Sequence, residues 1–519
     1  MSSCGAPGAG SRWPPCASFP GGSWSAPGAG GNINTAESFP DFAAFFQEKG
    51  GLFTENITIK LQPGEGKPLY EQLYRFLLEE MTEGRLRPGE KLPSKRALCT
   101  GLGVSHSTVE TAYGMLSAEG WIVSRPKRGY FVADELDPAP RLAEQPIASP
   151  EKNPIAPVPR YDFSTGAVDT SIFPYASWAR LSREVISAQP ELLQRGEVQG
   201  DRNFRETLAE FLREYRGVRC APEQIVVGAG LEYLLGLVIQ LFQGDAAFAI
   251  EDPGYGALRR VLQNHGRTIC PIPLDDHGLR ADALRESPAR VAYVTPSHQY
   301  PMGVTMPVSR RSKLLRWAAE APGRYLIEDD YDSDFRSLSR PIPAMQGMDG
   351  ERVIYIGTFS RSIAPSIRVA YLVLPERLLP VYRERFGLSA STVSRFEQQT
   401  LNAFLRRGLY SRHLRRSASL YRKKEERLLA ALARELPEAV VSGAGAGLHF
   451  LLTLPGREEG ELLEAAEGAG IPLRGLSGSC LRVEPPGSTL ILGFAGLGLA
   501  DSDDAAAALA RAFGGEKNK

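Results

Sequence analysis

Strand-like and helix-like segments alternate along residues 161–390, and this alternation narrows the possible folds more than any other property of the chain. Short apolar runs recur between stretches with helical spacing, among them QIVVGAG, AAFAIEDP, VAYVTPS, RYLIEDD and RVIYIGTFS. The pattern is typical of an α/β fold with helices on a mixed, mostly parallel sheet. We expect a large domain over 161–390 and a small α+β subdomain over 391–512.

The region before residue 161 divides by composition into three parts. Residues 1–55 are rich in Gly, Ala, Ser and Pro, a composition that cannot bury enough apolar surface to offset ordering entropy, and we expect a disordered tail. Residues 134–160 carry seven prolines and few large apolar residues, as expected of an extended linker. A compact domain is predicted between them, over residues 57–133.

This compact domain has the pattern of a winged helix-turn-helix. Leu69–Gly84 shows helical spacing and ends at a glycine, a short helix is expected from about Ser94, and a second helix from near Ser105 after the break at Gly101–Gly103. Ser105 is a suitable N-cap. The segment WIVSRPKRGYFVA then predicts two short strands joined by a basic turn.

The segments LPSKRAL and LGVSHSTVETAYGMLSAEGWIVSRPKRGYFV resemble the GntR-type winged helix, which implies binding to double-stranded DNA. The family usually has arginine after the cap serine, and here His106 stands there. Because histidine lacks the bidentate fork of arginine, we expect altered sequence preference at that position. The candidate DNA-binding residues are Lys95, Arg96, Ser105, His106, Ser107, Thr108, Lys127, Arg128 and Tyr130.

Composition limits the other classes of function. Acidic and basic residues balance at 60 each, so any nucleic-acid surface must be local. The six cysteines include no C-x-x-C pair and the six histidines show no ligand spacing, so we expect no disulfide framework and no metal site. No apolar run approaches a membrane span, and the amino terminus lacks the order of a secretory signal. We therefore expect a cytoplasmic protein without membrane contact.

Several segments after residue 160 resemble fold-type I pyridoxal-phosphate enzymes, in the order of that family. GAG at 228–230 lies between a strand and a helix, where backbone N–H groups and the helix dipole can hold a phosphate. The resemblance implies an aromatic ring on the cofactor, a carboxylate at the pyridinium nitrogen, a tyrosine near the ring hydroxyl and a polar phosphate grip. The matching residues are Gly228, Ala229, Gly230, Tyr255, Asp329, Tyr331, Thr358, Ser360 and Arg368.

Position 361 departs from this resemblance. The enzymes have lysine in the segment GTFSK, whereas this chain reads GTFSR, with Arg361 at the lysine position. A lysine amine can lose its proton in a desolvated pocket and condense with an aldehyde, but a guanidinium stays protonated. The resemblance therefore implies no internal aldimine, no catalytic residue and no transaminase activity, with pyridoxal 5'-phosphate held noncovalently. The arginine that binds a substrate carboxylate would fall near Thr489–Leu492, where none occurs, and Arg482 is a nearby substitute.

A winged helix joined by a proline-rich linker to such a domain resembles the MocR/GabR-type subfamily of GntR-family regulators over about residues 57–510. That resemblance implies a transcriptional regulator, a homodimer and a small-molecule effector, either an amine or amino acid or pyridoxal phosphate itself. Two alternatives stay open: a degenerate pocket that senses another small molecule, and an active pyridoxal-phosphate-dependent aminotransferase.

Overall fold

A computed structural model describes residues 61–62, 66–135, 159–335, 342–485 and 487–514. The described residues before 136 form one compact unit, and those from 159 onward form another. The predicted tail at 1–55 and residues 136–158 of the predicted linker lie outside the described residues.

The first unit has the predicted three helices followed by an antiparallel ribbon. These elements are α1 (Leu69–Thr82), α2 (Lys95–Leu102), α3 (His106–Ala118), β1 (Ile122–Arg125) and β2 (Gly129–Val132). The serine residues predicted to start α2 and α3 do so as N-caps: Ser94 accepts a hydrogen bond from the backbone N–H of Ala97, and Ser105 from that of Thr108. The fold is a winged helix.

One apolar core holds the three helices and the ribbon of this unit together. Leu73 of α1, Leu98 of α2 and Val109 of α3 are buried in it with Ile122 of the ribbon. The buried Tyr113 of α3 also donates a hydrogen bond to the carbonyl oxygen of Pro93 at 2.8 Å. The turn before α2 is therefore fixed against the middle of α3.

An eight-stranded sheet forms the centre of the second unit, with four parallel and three antiparallel pairings. In spatial order its strands are β3 (Ile225–Gly228), β10 (Ala370–Val373), β9 (Val353–Thr358), β8 (Tyr325–Asp330), β7 (Ala289–Val294), β4 (Ala247–Asp252), β5 (Ile269–Asp275) and β6 (Gly278–Leu279). The strands β3, β4, β7 and β8 are almost wholly buried, as expected of a sheet covered on both faces. Their residues are mainly apolar, but β4 and β8 end in buried acidic residues. The predicted mostly parallel sheet is confirmed.

Helices surround this sheet and lead to a second, smaller one. The helices up to residue 386 are α4 (Tyr175–Ala188), α5 (Arg202–Arg216), α6 (Leu231–Leu241), α7 (Gly256–Asn264), α8 (Ala281–Glu286), α9 (Val308–Ala319) and α10 (Leu379–Phe386). The helices that follow are α11 (Arg395–Arg406), α12 (Leu409–Glu435), α13 (Glu459–Gly468) and α14 (Ser502–Gly514).

The second sheet is antiparallel, and its spatial order is β11 (Val440–Ser442), β12 (His449–Thr453), β14 (Thr489–Gly493) and β13 (Arg474–Gly475). This is the expected small α+β arrangement at the carboxyl end. Buried residues of β12, β14, α12 and α14 belong to the same apolar cluster as Phe204 of α5 and Tyr355 of β9, so one apolar core connects the small sheet to the large one.

Candidate functional site: a candidate DNA interface and a polar cavity

The predicted DNA-binding residues gather around the amino-terminal end of α3 and the turn between β1 and β2. Six of them are exposed and the other three, Lys95, Thr108 and Tyr130, are half-buried. At the start of α3 the hydroxyl of Ser105 lies 2.8 Å from that of Ser107 and 2.9 Å from that of Thr108. The amino-terminal end of α3 thus presents hydroxyl groups together with the partial positive charge of a helix amino terminus, and both suit contacts with phosphate.

A carboxylate stands among these predicted DNA contacts. The Nζ of Lys95 lies 2.9 Å from Glu110, and His106 Nδ1 lies 3.6 Å from the same carboxylate. The hydrogen bond from Lys95 lowers the pKa of Glu110, so this side chain stays ionised. Lys95 also lies 5.5 Å above the ring of Tyr130, and that ring packs edge-on against Tyr113. Tyr130 of the ribbon therefore also contacts the ammonium group of Lys95 through its ring.

The turn of the ribbon is basic and shaped by one unusual backbone conformation. Lys127 is exposed and has a left-handed backbone, with φ of 60°. The guanidinium groups of Arg125 and Arg128 lie 4.6 and 5.7 Å from the ring of Phe131. Stacking on an aromatic face keeps such groups ordered while they remain charged. Arg125 is moreover paired with Asp134 at 2.6 Å.

The second unit contains a polar cavity of about 370 Å³, which lies where central strands of the main sheet, among them β8 and β9, end. Seven predicted cofactor residues line it, namely Tyr255, Asp329, Tyr331, Thr358, Ser360, Arg361 and Arg368. The remaining lining residues are Ser164, Thr165, Gly166, Leu231, Glu232, Tyr293, Thr295, Tyr300, Pro365 and Arg474.

The three other predicted cofactor residues, Gly228, Ala229 and Gly230, lie beside the cavity and do not line it. The N–H of Ala229 is donated to the hydroxyl of Thr392, and that of Gly230 to the carbonyl of Gly228. Gly228 is itself paired with β10. The helix end that reaches the cavity begins one residue later, at Leu231, and its first N–H groups have no acceptor within the helix.

Asp329 reaches the cavity from the carboxyl end of β8. The hydroxyl of Tyr293 donates a hydrogen bond to its Oδ2. Burial raises the pKa of Asp329 to about 7, and the neighbouring acidic residues add to this rise. A cationic N–H group next to this carboxyl would stabilise its ionised form and bring its pKa back down.

Three tyrosine rings form an aromatic wall of the cavity. Tyr255 and Tyr300 meet edge to face with ring centroids 5.8 Å apart, and Tyr331 lies 6.5 Å from Tyr300 in the same kind of contact. The hydroxyl of Tyr331 donates to the backbone oxygen of His298 at 3.0 Å. A flat heterocyclic ring matches such a wall.

Hydroxyl and guanidinium groups collect at the end of the cavity formed by the turn after β9. The backbone N–H of Ser360 donates to the hydroxyl of Thr358 at 3.1 Å, while the buried Oγ of Ser360 has no partner among the described residues. Arg368 has a left-handed backbone, with φ of 50°. Its Nη2 lies 3.1 Å from Glu232, and the guanidinium fills the space that a side chain at Gly230 would need. A bound anion could accept hydrogen bonds from both the Ser360 hydroxyl and the Arg368 guanidinium.

Arg361 also lines the cavity and directly follows Ser360 in the chain. Its Nη1 donates to the carbonyl oxygen of Thr165, which belongs to the cavity-lining segment Ser164–Gly166. Within the described parts of the chain, Arg361 makes no ion pair. Its positive charge therefore faces the cavity without a neutralising carboxylate.

Sequence reasoning missed several lining residues and misplaced one. Tyr293, Thr295 and Tyr300 lie in or just after β7. The family resemblance implies that the loop 295–303 lies beside the cofactor ring, but it singles out none of these residues, and Ser164–Gly166 gave no signal beyond one glycine. Arg482 does not line the cavity, and its backbone N–H donates to Asp252 at 2.7 Å. Besides Arg361 and Arg368, the cavity is lined by Arg474 of β13, whose register opposite β14 cannot be read from spacing along the chain.

A buried polar cluster lies behind Tyr331. His298, Asp332 and His449 are separated widely in sequence, yet their ligand-type atoms lie within 4.8 Å of one another. The histidine spacing had given no sign of this group. Nδ1 of His298 is 2.9 Å from Asp332, and Nε2 of His449 is 3.1 Å from the carbonyl of Pro301. A metal ion would have to displace these hydrogen bonds.

Two family models match the two units in turn. The model described as bacterial regulatory proteins of the gntR family matches residues 69–132, and that of aminotransferase class I and II matches residues 161–469. No helix in the described part of the chain combines the length and apolar character that crossing a bilayer requires.

Whole-chain relatives have the same order of domains. The chain is 41% identical over 440 residues to the uncharacterized HTH-type transcriptional regulator YdeL of Bacillus subtilis (strain 168), covering 84% of this chain and 94% of that protein. It is 33% identical over 451 residues to the probable rhizopine catabolism regulatory protein MocR of Rhizobium meliloti, covering 83% and 90%. The chain belongs to this family of HTH-type transcriptional regulators, in which a GntR winged helix precedes an aminotransferase class I and II domain.

Solved structures match the second unit. An archaeal alanine:glyoxylate aminotransferase superposes with a TM-score of 0.63 at 24% identity, over 68% of this chain and 91% of that one. LysN, the α-aminoadipate aminotransferase of Thermus thermophilus complexed with N-(5'-phosphopyridoxyl)-L-leucine, gives 0.61 at 26% identity, over 68% and 91%. The second unit has the fold-type I aminotransferase fold.

Proposed function

We propose that this protein is a MocR-type transcriptional regulator that binds double-stranded DNA as a homodimer and senses a small molecule in its aminotransferase-like domain. The observation that carries the DNA-binding part is the exposed, hydroxyl-rich start of α3 beside the basic turn of the ribbon. Both can reach a phosphate backbone, and α3 has the length of a helix that enters a major groove. A dimer would place two such readers on a repeated operator.

The ligand that fits the cavity best is pyridoxal 5'-phosphate, held noncovalently. Ser360 has a buried hydroxyl without a partner among the described residues, and Arg368 and Thr358 stand beside it, so these three residues would hold the phosphate. Asp329 would accept the ring N–H, and Tyr255 and Tyr331 would flank the ring. When bound, the group supplies an electron-withdrawing ring and an aldehyde. The chain's own residues bind and orient it.

We propose that this domain is not a working aminotransferase. Arg361, the cavity cation on the turn after β9, stays protonated and cannot serve as the nucleophile or the proton carrier that the reaction needs. The lysines described in this unit are Lys313, Lys423 and Lys424, and none of them lines the cavity. Lys424 is instead buried and paired with Asp169 at 2.7 Å. On this proposal the cavity serves for recognition only.

A second candidate function is that of a regulator whose cavity binds a small molecule other than pyridoxal phosphate. Glu232 supports it, because this carboxylate already pairs with Arg368 at the end where the phosphate would bind. A phosphate there would meet a like charge right beside its guanidinium partner, and repulsion is strong at such short range. On this reading the effector is a different small molecule, and DNA binding is unchanged.

Two measurements test these proposals separately. A gel-shift titration with the promoter region flanking the gene should show sequence-specific, salt-sensitive binding by a dimer, and equal affinity for random duplex at moderate salt would refute the regulator. A calorimetric titration with pyridoxal phosphate should show saturable binding that borohydride does not make covalent. No heat of binding, with DNA binding intact, would favour the second candidate.

A further inference from the structure

The cluster formed by His298, Asp332 and His449 contains two polar atoms without a partner. All three residues are buried, with 3% or less of their surface exposed. Nε2 of His298 and Oδ1 of Asp332 have no hydrogen-bond partner among the described residues. An unsatisfied polar atom in a protein interior is costly, so such atoms are rare and indicate a bound group or a functional role. The cluster therefore has binding capacity that the described residues do not use.

Three separate elements hold these side chains in place. His298 lies in the segment after β7, Asp332 follows β8, and His449 is the first residue of β12. The N–H of Leu448 donates to Oδ2 of Asp332 at 3.3 Å, and His449 is paired with Gly493 in the small sheet. Because their backbones are fixed by the surrounding fold, the three residues can bind an ion without the entropy cost of ordering a loop.

The spacing of the three side chains is close to that required by a small divalent ion. Their candidate ligand atoms all lie within 4.8 Å of one another, and Nδ1 of His298 is 2.9 Å from Oδ2 of Asp332. Zinc bonds to nitrogen and oxygen are about 2.0–2.2 Å long, so the ligands of a tetrahedral zinc ion lie about 3.3 Å apart. Because residue 447 is a glycine, no side chain intrudes on these two atoms, and a Cβ there would overlap both. Small side-chain movements would therefore surround an ion.

An ion in this place would replace two hydrogen bonds, those of His298 with Asp332 and of His449 with the Pro301 carbonyl. A hydrogen bond adds little net stability, because its partners bond to water in the unfolded chain, whereas binding of a metal ion by several ligands contributes much more. Among the described residues Asp332 pairs with His298 and with no lysine or arginine, so its carboxylate is available to a cation. The exchange therefore favours the ion.

We propose that His298, Asp332 and His449 form a binding site for one divalent transition-metal ion, with zinc as the best match. Imidazole nitrogens together with a carboxylate suit zinc, whereas magnesium and calcium prefer oxygen ligands. Three protein ligands leave a fourth coordination position open. The hydroxyl of Tyr331, a residue that lines the cavity, lies 3.1 Å from Nδ1 of His298, so the ion lies next to the cavity. The inference does not depend on which small molecule the cavity binds.

Zinc binding to the full-length protein tests the site directly. Protein freed of metal with EDTA should bind one zinc ion per chain in a calorimetric titration, and cobalt should give the intense visible absorption of a tetrahedral site. His298→Gln and His449→Gln should each weaken zinc binding by about 100-fold or more, since even the loss of a residue that only orients a ligand costs about 10- to 100-fold. His449→Cys, which keeps a zinc ligand, should retain most of the affinity.

His265→Gln is the matched control, because His265 is an exposed histidine outside the cluster. It should leave the zinc affinity and the cobalt spectrum unchanged. No saturable binding of zinc by the metal-free, unmodified protein overturns the site, and this result requires no variant to fold. Zinc binding that survives both glutamine variants, or a cobalt spectrum of the weak octahedral kind, shows adventitious ions only and overturns the site as well.

Discussion

The side-chain nitrogen of Lys95 lies 2.9 Å from the carboxylate of Glu110, so an ion pair joins α2 to α3 on the surface proposed to face DNA. Glu110 is exposed and also lies near His106. An acidic group in this place competes with phosphate for Lys95 and repels the DNA backbone. We therefore expect Glu110 to lower the affinity for DNA of this surface, whose other residues attract phosphate.

Replacing this carboxylate should strengthen DNA binding. Glu110→Gln should tighten operator binding several-fold at moderate salt and raise the slope of log affinity against log salt by about one, because one more lysine becomes available to phosphate. Fluorescence anisotropy over a salt series measures both values. Glu79→Gln, on the exposed side of α1, removes the same charge elsewhere in the unit, and an equal gain in that variant would contradict the local explanation.

The hydroxyl of Ser105 should matter for the stability of the winged helix. It accepts the N–H of Thr108 at 3.2 Å and closes the first turn of α3. Ser105→Ala should lower the free energy of unfolding by about 1 kcal/mol, the usual contribution of such a cap. Urea denaturation followed by circular dichroism measures the change. Ser117→Ala, at an exposed position near the other end of α3, should be close to neutral, and comparable losses in both variants would argue against the cap.

Gly447 should not tolerate a side chain. Its backbone has φ of +68°, and a Cβ there would overlap both His298 and Asp332. Gly447→Ala should destabilise the second unit by about 3 kcal/mol or more, since a left-handed backbone and a buried clash act together. Gly456 has φ of +75° with open space around it, so Gly456→Ala isolates the backbone part and should cost about 1 kcal/mol. Similar thermal midpoints for the two variants would exclude the clash.

Buried carboxyl groups should make the ligand-free protein less stable as pH rises. Burial raises the pKa values of Glu251, Glu328 and Asp329 to about 7. Between the unfolded pKa of about 4 and the folded value, the folded state holds protons that the unfolded state releases, so stability is greatest below this window and falls across it. The loss should be complete only once the pH has passed the folded pKa values.

Asp329→Asn should remove part of this loss, because an amide can still accept the Tyr293 hydroxyl and never ionises. The variant should match the unmodified protein at about pH 5 and exceed its unfolding free energy at about pH 8 by on the order of 1 kcal/mol or more. Urea midpoints at the two pH values provide the comparison. Asp276→Asn, at an exposed site, is the control, and a stability difference for Asp329→Asn that does not change with pH would contradict the expected titration.

Arg361→Lys should convert the cavity into one that captures pyridoxal phosphate covalently. A lysine there could lose its proton against the buried tyrosine wall and react with the aldehyde. The purified variant should turn yellow with pyridoxal phosphate and keep the group at residue 361 after borohydride reduction, as mass spectrometry would show. A colourless variant, or a label on another lysine in the unmodified protein, would contradict the proposed role of this position.

The sequence predicted the fold well because its signals are local. Helix spacing, the cap serines and the alternation of buried strands all act within a few residues, and the observed winged helix and mixed sheet follow from them. The small sheet was expected only as a class, since the pairing of Arg474 with Ile491 joins residues 17 positions apart. Strand register of this kind depends on packing that no short pattern encodes.

The cavity was predicted in part, for a similar reason. Tyr255, Asp329 and Ser360 occupy segments with a recognisable family pattern and do line it. Ala229 and Gly230 follow the same kind of pattern, but their N–H groups are already bonded within the protein. Ser164–Gly166 and Arg474 reach the cavity only through the folding of remote segments. The family resemblance identified cavity residues that lie within the family's motifs. It missed those that lie far away in the sequence and reach the cavity only in the folded chain.

The left-handed backbone of Arg368 has a consequence for how this domain could change over time. Any residue with a side chain is strained in that conformation by roughly 1–2 kcal/mol, and glycine would relieve it. Glycine, however, could not send a guanidinium over Gly230 to meet Glu232. Stability alone therefore favours losing this arginine, and a lineage with no anion to bind would gain by doing so. Arg368→Gly in the laboratory would show directly how much folding stability the chain gives up to keep that charge in place.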